Sequence, residues 1–349
     1  MSQYTSNISL TQAADIIKQM PQPIAVVTHA KPDGDALGSV LAITQAIRVL
    51  DIDVQGYLVP PIPQNFDVLP GFSSIQAIDS PDALANAASF LLLDTGAKSQ
   101  VAFTCDTLVA NADNLMIIDH HLSGDIPAKH RYIDSNAGAC AEIIYELANI
   151  LTADLTLDSQ AKNIINSAIF TGIVSDTGWF RFSNTRPVTH RIAADLIEQG
   201  IDHAELFQKL EQTERPEKLK LLIRAIDSLE LLLDNRVAIM SLSLEDFAET
   251  GAYEEETERI VDIPQKVATV QLVVLVSEKR DIETGETIAR MSFRSKPGPN
   301  AVDVAQLASH FGGGGHARAA GAKLTGTIHD LLPDIKRTLS SALLESTEQ

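Results

Sequence analysis

Residues 24–39 read IAVVTHAKPDGDALGS, and this stretch decides the fold class. Residues 24–28 form a short apolar run that predicts a buried strand, and residues 36–50 carry apolar side chains at helical spacing. Similar strand and helix patterns alternate through the first half of the chain. This alternation favours an α/β fold with a mostly parallel sheet flanked by helices.

The rest of the chain divides into further predicted elements. The patterns predict strands at 54–59, 90–93, 115–118, 237–242, 269–276 and 288–293, and helices at 141–151, 160–173, 188–200 and 302–310. A long polar helical region is expected at 202–233, a solvated acidic surface at 245–258, and a small-residue helix after the glycines at 312–315. We predict a catalytic domain at 1–190, a helical connector at 191–233 and a smaller α/β domain at 234–349.

The loop after the first strand holds His29, Asp33 and Asp35 within seven residues. One imidazole and two carboxylates on a short loop suit a divalent cation such as Mn²⁺ or Mg²⁺. Alternatively, Asp33 or Asp35 caps the following helix and Gly34 serves a tight turn.

Two more strand ends carry polar side chains. Asp94 ends the apolar run at 90–93, and Asp119, His120 and His121 follow the run at 115–118. Ligands of open α/β sheets bind at the carboxyl ends of strands, so these segments are expected to converge on one crevice. A simple turn at Asp94 and a surface histidine pair are the alternatives.

Two glycine-containing stretches are the remaining candidate site segments. Asp176 stands between Gly172 and Gly178 at the end of an apolar helical pattern, and Arg181 is close enough in sequence to bind an anion beside it. The alternative is that this stretch only ends a helix and forms a turn. Four glycines at 312–315, followed by His316, offer backbone amides to phosphate oxygens, unless they form only a flexible turn.

Together, in this order and spacing, these five motifs resemble the DHH/DHHA1 phosphoesterase family over residues 8–324, and most closely its nanoRNase branch. The resemblance implies two divalent cations, most commonly Mn²⁺ with Mg²⁺ or Co²⁺ as alternatives, bridged by Asp94. It implies these metal ligands: His29, Asp33 and Asp94 for the first ion, and Asp35, Asp94, His120 and Asp176 for the second. The resemblance further implies that Asp35 and Asp176 are catalytic residues as well as ligands. It implies that His121 donates a hydrogen bond to the substrate phosphate and that Asp119 supports the His pair.

The resemblance also implies a nucleotide-binding surface in the second domain. Its expected residues are Arg294, Ser295, Gly313, Gly314, Gly315 and His316, with Arg181 from the first domain. One departure is visible: many relatives have an Asn shortly after the His pair, where this chain has residues 122–124, Leu-Ser-Gly.

The expected activity is hydrolysis of short oligoribonucleotides to mononucleotides and of 3′-phosphoadenosine 5′-phosphate to AMP. The resemblance implies in-line attack by a water held between two cations about 3.5–4 Å apart. Linear dinucleotides from cyclic di-AMP and polyphosphate are alternative substrates. A non-catalytic nucleotide sensor is less favoured, because no ligand is missing.

The composition of the chain limits the kinds of partner that it can bind. The net charge of −19 disfavours long duplex nucleic acid, whereas residues 290–323 hold five basic side chains and one acidic one. No apolar run is long enough to span a membrane, and two cysteines cannot build a disulfide framework. We expect a cytoplasmic enzyme. A homodimer is a possible assembly that the sequence does not decide.

Overall fold

The computed structural model describes residues 4–281, 284–298 and 301–347. The chain forms two compact units, Met1–Thr213 and Glu214–Gln349. The division falls inside the segment 191–233 that was expected to connect the domains, and the predicted domain boundaries stay a prediction.

The first unit is built on a parallel sheet of six strands in the order β3-β2-β1-β4-β5-β6. The strands are β1 (Ile24–Val27), β2 (Val54–Leu58), β3 (Gln76–Ala77), β4 (Ser89–Leu93), β5 (Leu115–Asp119) and β6 (His130–Ile133). The chain runs outward from β1 to β3 and returns to the other side of β1 as β4. The topological switch point, where ligands of such sheets bind, therefore lies between β1 and β4.

Helices cover both faces of this sheet. They are α1 (Leu10–Ile17), α2 (Gly34–Arg48), α3 (Cys105–Ala110), α4 (Cys140–Leu151), α5 (Ser159–Asp176), α6 (Pro187–Glu198) and α7 (His203–Glu211). Ile24 and Val26 pack with α2, α4 and α5 on one face, while Ala25 and Val27 pack with α3 on the other. Burial on both faces explains why the central strands are apolar throughout.

The second unit contains a mixed sheet in the order β11-β12-β10-β9-β8-β7. Its strands are β7 (Glu230–Leu232), β8 (Val237–Leu242), β9 (Leu272–Arg280), β10 (Thr287–Ser295), β11 (Gly314–His316) and β12 (Ala319–Thr325). Its helices are α8 (Pro216–Asp227), α9 (Leu244–Thr250), α10 (Val304–Ser309) and α11 (Ile328–Thr347). Only β8 and β9 pair in parallel; the other pairs are antiparallel. The confirmed fold class is α/β, with a parallel sheet in the first unit.

Two local predictions were wrong. The region 202–233 is not one helical stretch: it contains α7, α8 and the strand β7. The small-residue helix expected after the glycines is the strand β12, because its residues pair with β10 on one side and β11 on the other.

The acidic segment 245–258 is exposed or half-buried apart from Thr250 and Ala252, as expected of a solvated surface. Part of it forms the helix α9, which Ser243 caps by accepting a hydrogen bond from the Asp246 amide.

Among the residues that the structure describes, no helix combines the length and apolar character needed to cross a membrane.

Candidate metal centre

The carboxyl ends of β1, β4 and β5 meet at the switch point of the first unit. His29 follows β1, Asp94 follows β4, and Asp119 ends β5 directly before the His pair. These three strands are neighbours in the sheet, so sequence segments more than 60 residues apart place their polar side chains together. Sequence analysis predicted this convergence.

Three overlapping groups of side chains have ligand atoms within 4.8 Å of one another. The groups are His29 with Asp33 and Asp94; Asp94 with His120 and His121; and Asp35 with His120 and Asp176. His120 Nε2 lies 3.3 Å from Asp94 Oδ1, 3.7 Å from Asp176 Oδ2 and 3.9 Å from Asp35 Oδ2. His29 Nε2 lies 3.6 Å from Asp94 Oδ2. Asp94 thus links the side chains on its two sides.

Asp94 has an arrangement that fits a bound cation. Its carboxylate is 3% exposed, yet its Oδ1 accepts no hydrogen bond. Its backbone φ of +58° lies in the left-handed region, which a non-glycine side chain adopts at a cost of about 1 to 2 kcal/mol. A buried, unpaired carboxylate oxygen is costly unless a ligand satisfies it, so the site is suited to a metal.

Two histidines are oriented by their Nδ1 atoms. The His29 ring pairs through Nδ1 with the Ala30 carbonyl at 3.0 Å, and the His120 ring with the Ala137 carbonyl at 3.1 Å. A carbonyl can only accept, so Nδ1 carries the proton in both rings. The opposite nitrogen, Nε2, faces the carboxylates, which is how metal-binding histidines are commonly held.

The excess of negative charge raises the pKa of both histidines. Burial alone would lower the pKa of His29, but the Asp94 carboxylate, 3.6 Å from Nε2, outweighs burial and raises the value to about 9. The pKa of His120 rises to about 10 for the same reason, with Asp35 adding to the effect of Asp94. Conversely, burial raises the pKa of Asp94, but the nearby His120 and His29 rings outweigh burial and lower it. These protons compete with a cation for Nε2.

Asp33 and Asp35 each bond to a helix N-terminus. Asp33 caps α2, because its Oδ1 accepts from the amides of Asp35 and Ala36 at 3.0 Å each. Asp35 is fully buried and accepts from the first amides of α4, Cys140 N at 2.6 Å and Ala141 N at 2.9 Å. The capping interpretation therefore holds for Asp33, and the same side chain also lies within ligand distance of His29 and Asp94.

Asp176 is the last residue of α5. Its carboxylate is 31% exposed, and burial raises its pKa to about 6. Asn184 donates to the Asp176 carbonyl at 3.1 Å and to the Gly138 carbonyl at 2.8 Å. Asn184 therefore ties the end of α5 to the loop before α4.

His121 is an exposed member of the cluster, with 45% of its side chain exposed. Its Nδ1 donates to Asp119 Oδ1 at 2.7 Å, and this bond raises the pKa of His121. Asp119 is fully buried and also accepts from the backbone amides of His120 and His121. Asp119 thus supports the His pair, as sequence analysis expected.

Sequence analysis missed Ala137, Asn184 and Tyr4, which hold members of the cluster from outside. Ala137 acts through a backbone carbonyl, which any residue provides, so its identity carries no signal. Asn184 lies within the stretch quoted with Asp176, and its amide side chain offered a weak hint.

The residues expected to bind substrate belong to none of the three candidate metal groups found among the described residues. Arg181 Nε donates to the Gly178 carbonyl at 2.6 Å. In the second unit, Arg294 Nε lies 3.6 Å from Asp262 Oδ1, and Ser295 is buried with its hydroxyl donating to the Val302 carbonyl at 2.7 Å. Their role in binding stays a prediction.

The glycine loop is partly a β-hairpin. Gly314, Gly315 and His316 form β11, an exposed strand that pairs with β12. A Cβ on Gly313 would overlap the Gly321 carbonyl. Close approach to β12 therefore accounts for this glycine without a ligand.

A doubly wound parallel sheet whose switch point gathers histidines and aspartates, joined to a second α/β unit, is the architecture of a metal-dependent phosphoesterase. The chain belongs to the DHH/DHHA1 family: the DHH family N-terminal domain matches residues 23–173, and the DHHA1 domain matches residues 234–345.

Curated relatives agree with this assignment. The chain is 29% identical over 335 residues to the bifunctional oligoribonuclease and PAP phosphatase NrnA of Thermus thermophilus, covering 96% of this chain and 93% of the relative. It is 28% identical over 299 residues to the protein of the same name from Bacillus subtilis, covering 85% and 87%. These matches and the family domains identify the chain as a hydrolase of phosphoester bonds.

A solved structure shares the fold. The crystal structure of an exopolyphosphatase-related protein from Bacteroides fragilis superposes with a TM-score of 0.81 at 22% identity, covering 97% of each chain.

Proposed function

We propose that this protein hydrolyses short oligoribonucleotides to mononucleotides and 3′-phosphoadenosine 5′-phosphate to AMP. The single observation that carries the proposal is the cluster around Asp94, whose buried and unpaired oxygen lies among histidines and carboxylates. The names of the NrnA relatives, which match nearly the whole chain, supply the substrate class.

We assign the ligands as sequence analysis predicted them. His29 and Asp33 hold one ion, Asp35, His120 and Asp176 hold the other, and Asp94 bridges them. The mixed imidazole and carboxylate set suits Mn²⁺, with Mg²⁺ and Co²⁺ as substitutes. Two bound cations supply a water nucleophile of lowered pKa and neutralise charge on the phosphate.

The remaining groups act on substrate. His121 is an exposed member of the cluster, and its Nδ1 donates to Asp119, so Nε2 is left to bond a phosphate or leaving oxygen. Arg181 can meet a second phosphate oxygen once its side chain turns from the Gly178 carbonyl. No side chain needs to form a covalent bond with the substrate.

The second unit supplies recognition in this proposal. Arg294, His316 and the amides of the glycine loop bind the terminal nucleotide, with Ser295 ordering the strand end through its bond to the Val302 carbonyl. Binding of a terminal nucleotide favours short substrates, because each cleavage then lies a fixed distance from a chain end. We place the reaction in the cytoplasm, where Cys105 and Cys140 stay free thiols.

The test is a product profile over time with Mn²⁺ and labelled oligoribonucleotides of two to about ten nucleotides, run beside 3′-phosphoadenosine 5′-phosphate. We expect mononucleotides from the shortest chains and AMP from the bisphosphate, with rates falling as length increases. A profile in which long chains are degraded as fast as dinucleotides would reject the substrate assignment.

A second candidate acts by the same chemistry on another substrate. The Bacteroides relative is described as exopolyphosphatase-related, which motivates including polyphosphate, and linear di-AMP represents the products of cyclic di-AMP. Turnover of polyphosphate above that of the dinucleotides would favour this alternative over ours.

A further inference from the structure

Tyr4 reaches the centre of the site from the N-terminal segment. Its hydroxyl donates to Asp119 Oδ2 at 2.6 Å across a sequence separation of 115 residues. Asp119 is fully buried, and Tyr4 is half-buried. A charge-assisted hydrogen bond of this length is among the stronger interactions of a carboxylate.

The segment that carries Tyr4 is fixed along the edge strand β6. Asn7 and Arg131 exchange two bonds, Asn7 N to the Arg131 carbonyl at 2.9 Å and Arg131 N to Asn7 Oδ1 at 2.7 Å. Ser6 and Ile133 do the same, with the Ile133 amide donating to Ser6 Oγ at 2.7 Å and Ser6 Oγ donating to the Ile133 carbonyl at 2.9 Å. The position of Tyr4 is therefore specified by the sheet and not by a single contact.

Two glycines make room for the Tyr4 ring. A Cβ on Gly96, beyond the end of β4, or on Gly124, beyond the His pair, would overlap the ring. The aromatic ring thus fills a space that only glycine leaves open on both sides.

The hydrogen bond from Tyr4 means that both carboxylate oxygens of Asp119 have a donor. Asp119 Oδ1 accepts from His121 Nδ1 at 2.7 Å and from the amides of His120 and His121 at 2.8 and 3.1 Å, while Oδ2 accepts from Tyr4. Bonds to both oxygens fix the carboxylate plane, and that plane sets the direction of the His121 ring.

We propose that Tyr4 is a positioning residue of the hydrolytic reaction, holding Asp119 so that His121 Nε2 is directed at the substrate phosphate. The inference rests on the proposed function for the role of His121. Loss of the hydroxyl leaves one buried oxygen without a donor and allows the carboxylate and His121 to turn together. A misplacement of about 1 Å at a reacting group costs up to about 100-fold in rate.

The experiment compares Tyr4→Phe, which keeps the ring between the two glycines, with Tyr57→Phe, which removes a hydroxyl on β2. For Tyr4→Phe we expect kcat on a diribonucleotide to fall by about 10- to 100-fold, with KM and Mn²⁺ affinity close to wild type. The melting temperature should fall by a few degrees, because one buried oxygen of Asp119 loses its donor. Tyr57→Phe should match wild type in kcat, KM, Mn²⁺ affinity and melting temperature. In a His121→Ala background, Tyr4→Phe should have no further effect, since the two residues act in one chain of contacts.

A readout independent of substrate is the protonation pattern of the ring. Nuclear magnetic resonance of histidine-labelled, Mg²⁺-loaded protein should show His121 held with its proton on Nδ1 in wild type and in a mixture of tautomers in Tyr4→Phe. An unchanged kcat, an unchanged tautomer, or a loss of rate that persists in His121→Ala would overturn the inference. If wild type cleaves no substrate, the proposed function fails, and the resonance comparison still decides whether Tyr4 orients His121.

Discussion

Asp94 is the residue on which the site depends. It leaves β4 in a left-handed conformation, lies 3% exposed, and stands within 4 Å of His29, His120 and His121. Strained backbone at a buried carboxylate persists only where the surrounding structure enforces it, and such positions cluster at functional sites.

Replacing Asp94 with Asn tests its role as the bridging ligand. The amide keeps the shape but loses the charge that both ions need, so Mn²⁺ affinity and kcat should each fall by at least about 100-fold, beyond the 10- to 100-fold typical of outer-shell changes. Titration calorimetry and initial rates measure the two effects. Asp154→Asn, at an exposed position, is the control and should match wild type. Retained Mn²⁺ binding in Asp94→Asn would remove Asp94 from the ligand set.

Metal binding should release protons. The pKa values of about 9 for His29 and about 10 for His120 mean that both rings are charged at pH 7.5 without metal. A cation binds the uncharged imidazole, so close to two protons should leave per loaded centre, and affinity should rise with pH up to about 10. Calorimetry in buffers of different ionisation enthalpy measures the release. A binding enthalpy that does not depend on the buffer would contradict this expectation.

Single residues differ in how far the sequence reveals them. His29, Asp94 and His120 follow apolar strands, and polar side chains at such positions are conspicuous. Tyr4 and Ala137 act across long sequence separations, one through a hydroxyl and the other through a backbone carbonyl. No local pattern distinguishes such residues from others of their type.

At the scale of elements, the strands β1, β2, β4 and β5 were predicted within one or two residues, because they carry buried apolar side chains. The edge strands β3 and β6 were not predicted, because their residues are exposed or half-buried and form no apolar run. A helix was wrongly predicted at 317–321, because alanine has a high helix propensity in isolation. Pairing with β10 and β11 overrides that preference and places residues 319–321 in β12. The alternation of β10, with Ala289, Met291 and Phe293 buried, is the signal that a sheet continues there.

At the hairpin of β11 and β12, two glycine variants can separate a structural role from the proposed role in substrate binding. A Cβ on Gly313 would overlap the backbone of β12, whereas a Cβ on Gly314 meets nothing within 4 Å. Gly313→Ala should therefore lower the melting temperature by several degrees, and Gly314→Ala should leave it near wild type. A rise of KM in Gly314→Ala then reports on substrate alone. Equal melting temperatures for the two variants would show that the close approach is not required.

At the scale of the whole molecule, the net charge of −19 is unevenly distributed. The first unit concentrates carboxylates at the switch point, where the proposed cations would offset their charge. In the second unit, residues 290–323 hold five basic side chains and one acidic one. Such a distribution accommodates a short anionic substrate and still disfavours long polymers.

The second unit should affect substrate binding and not metal binding. Arg294→Ala removes a guanidinium that is paired only loosely with Asp262, at 3.6 Å, so we expect KM for a dinucleotide to rise about tenfold, the equivalent of roughly 1.4 kcal/mol. Mn²⁺ affinity should stay unchanged. The control is Arg337→Ala, an exposed arginine on α11 that pairs with Asp334. An unaltered KM in Arg294→Ala would place nucleotide recognition elsewhere.

The most direct measurement is anomalous diffraction at the manganese absorption edge from crystals of the full chain grown with Mn²⁺. We predict two peaks about 3.5 to 4 Å apart on either side of the Asp94 carboxylate, one also contacting His29 and Asp33 and the other Asp35, His120 and Asp176. A single peak, or peaks outside this cluster, would contradict the assignment of a two-metal centre at the switch point.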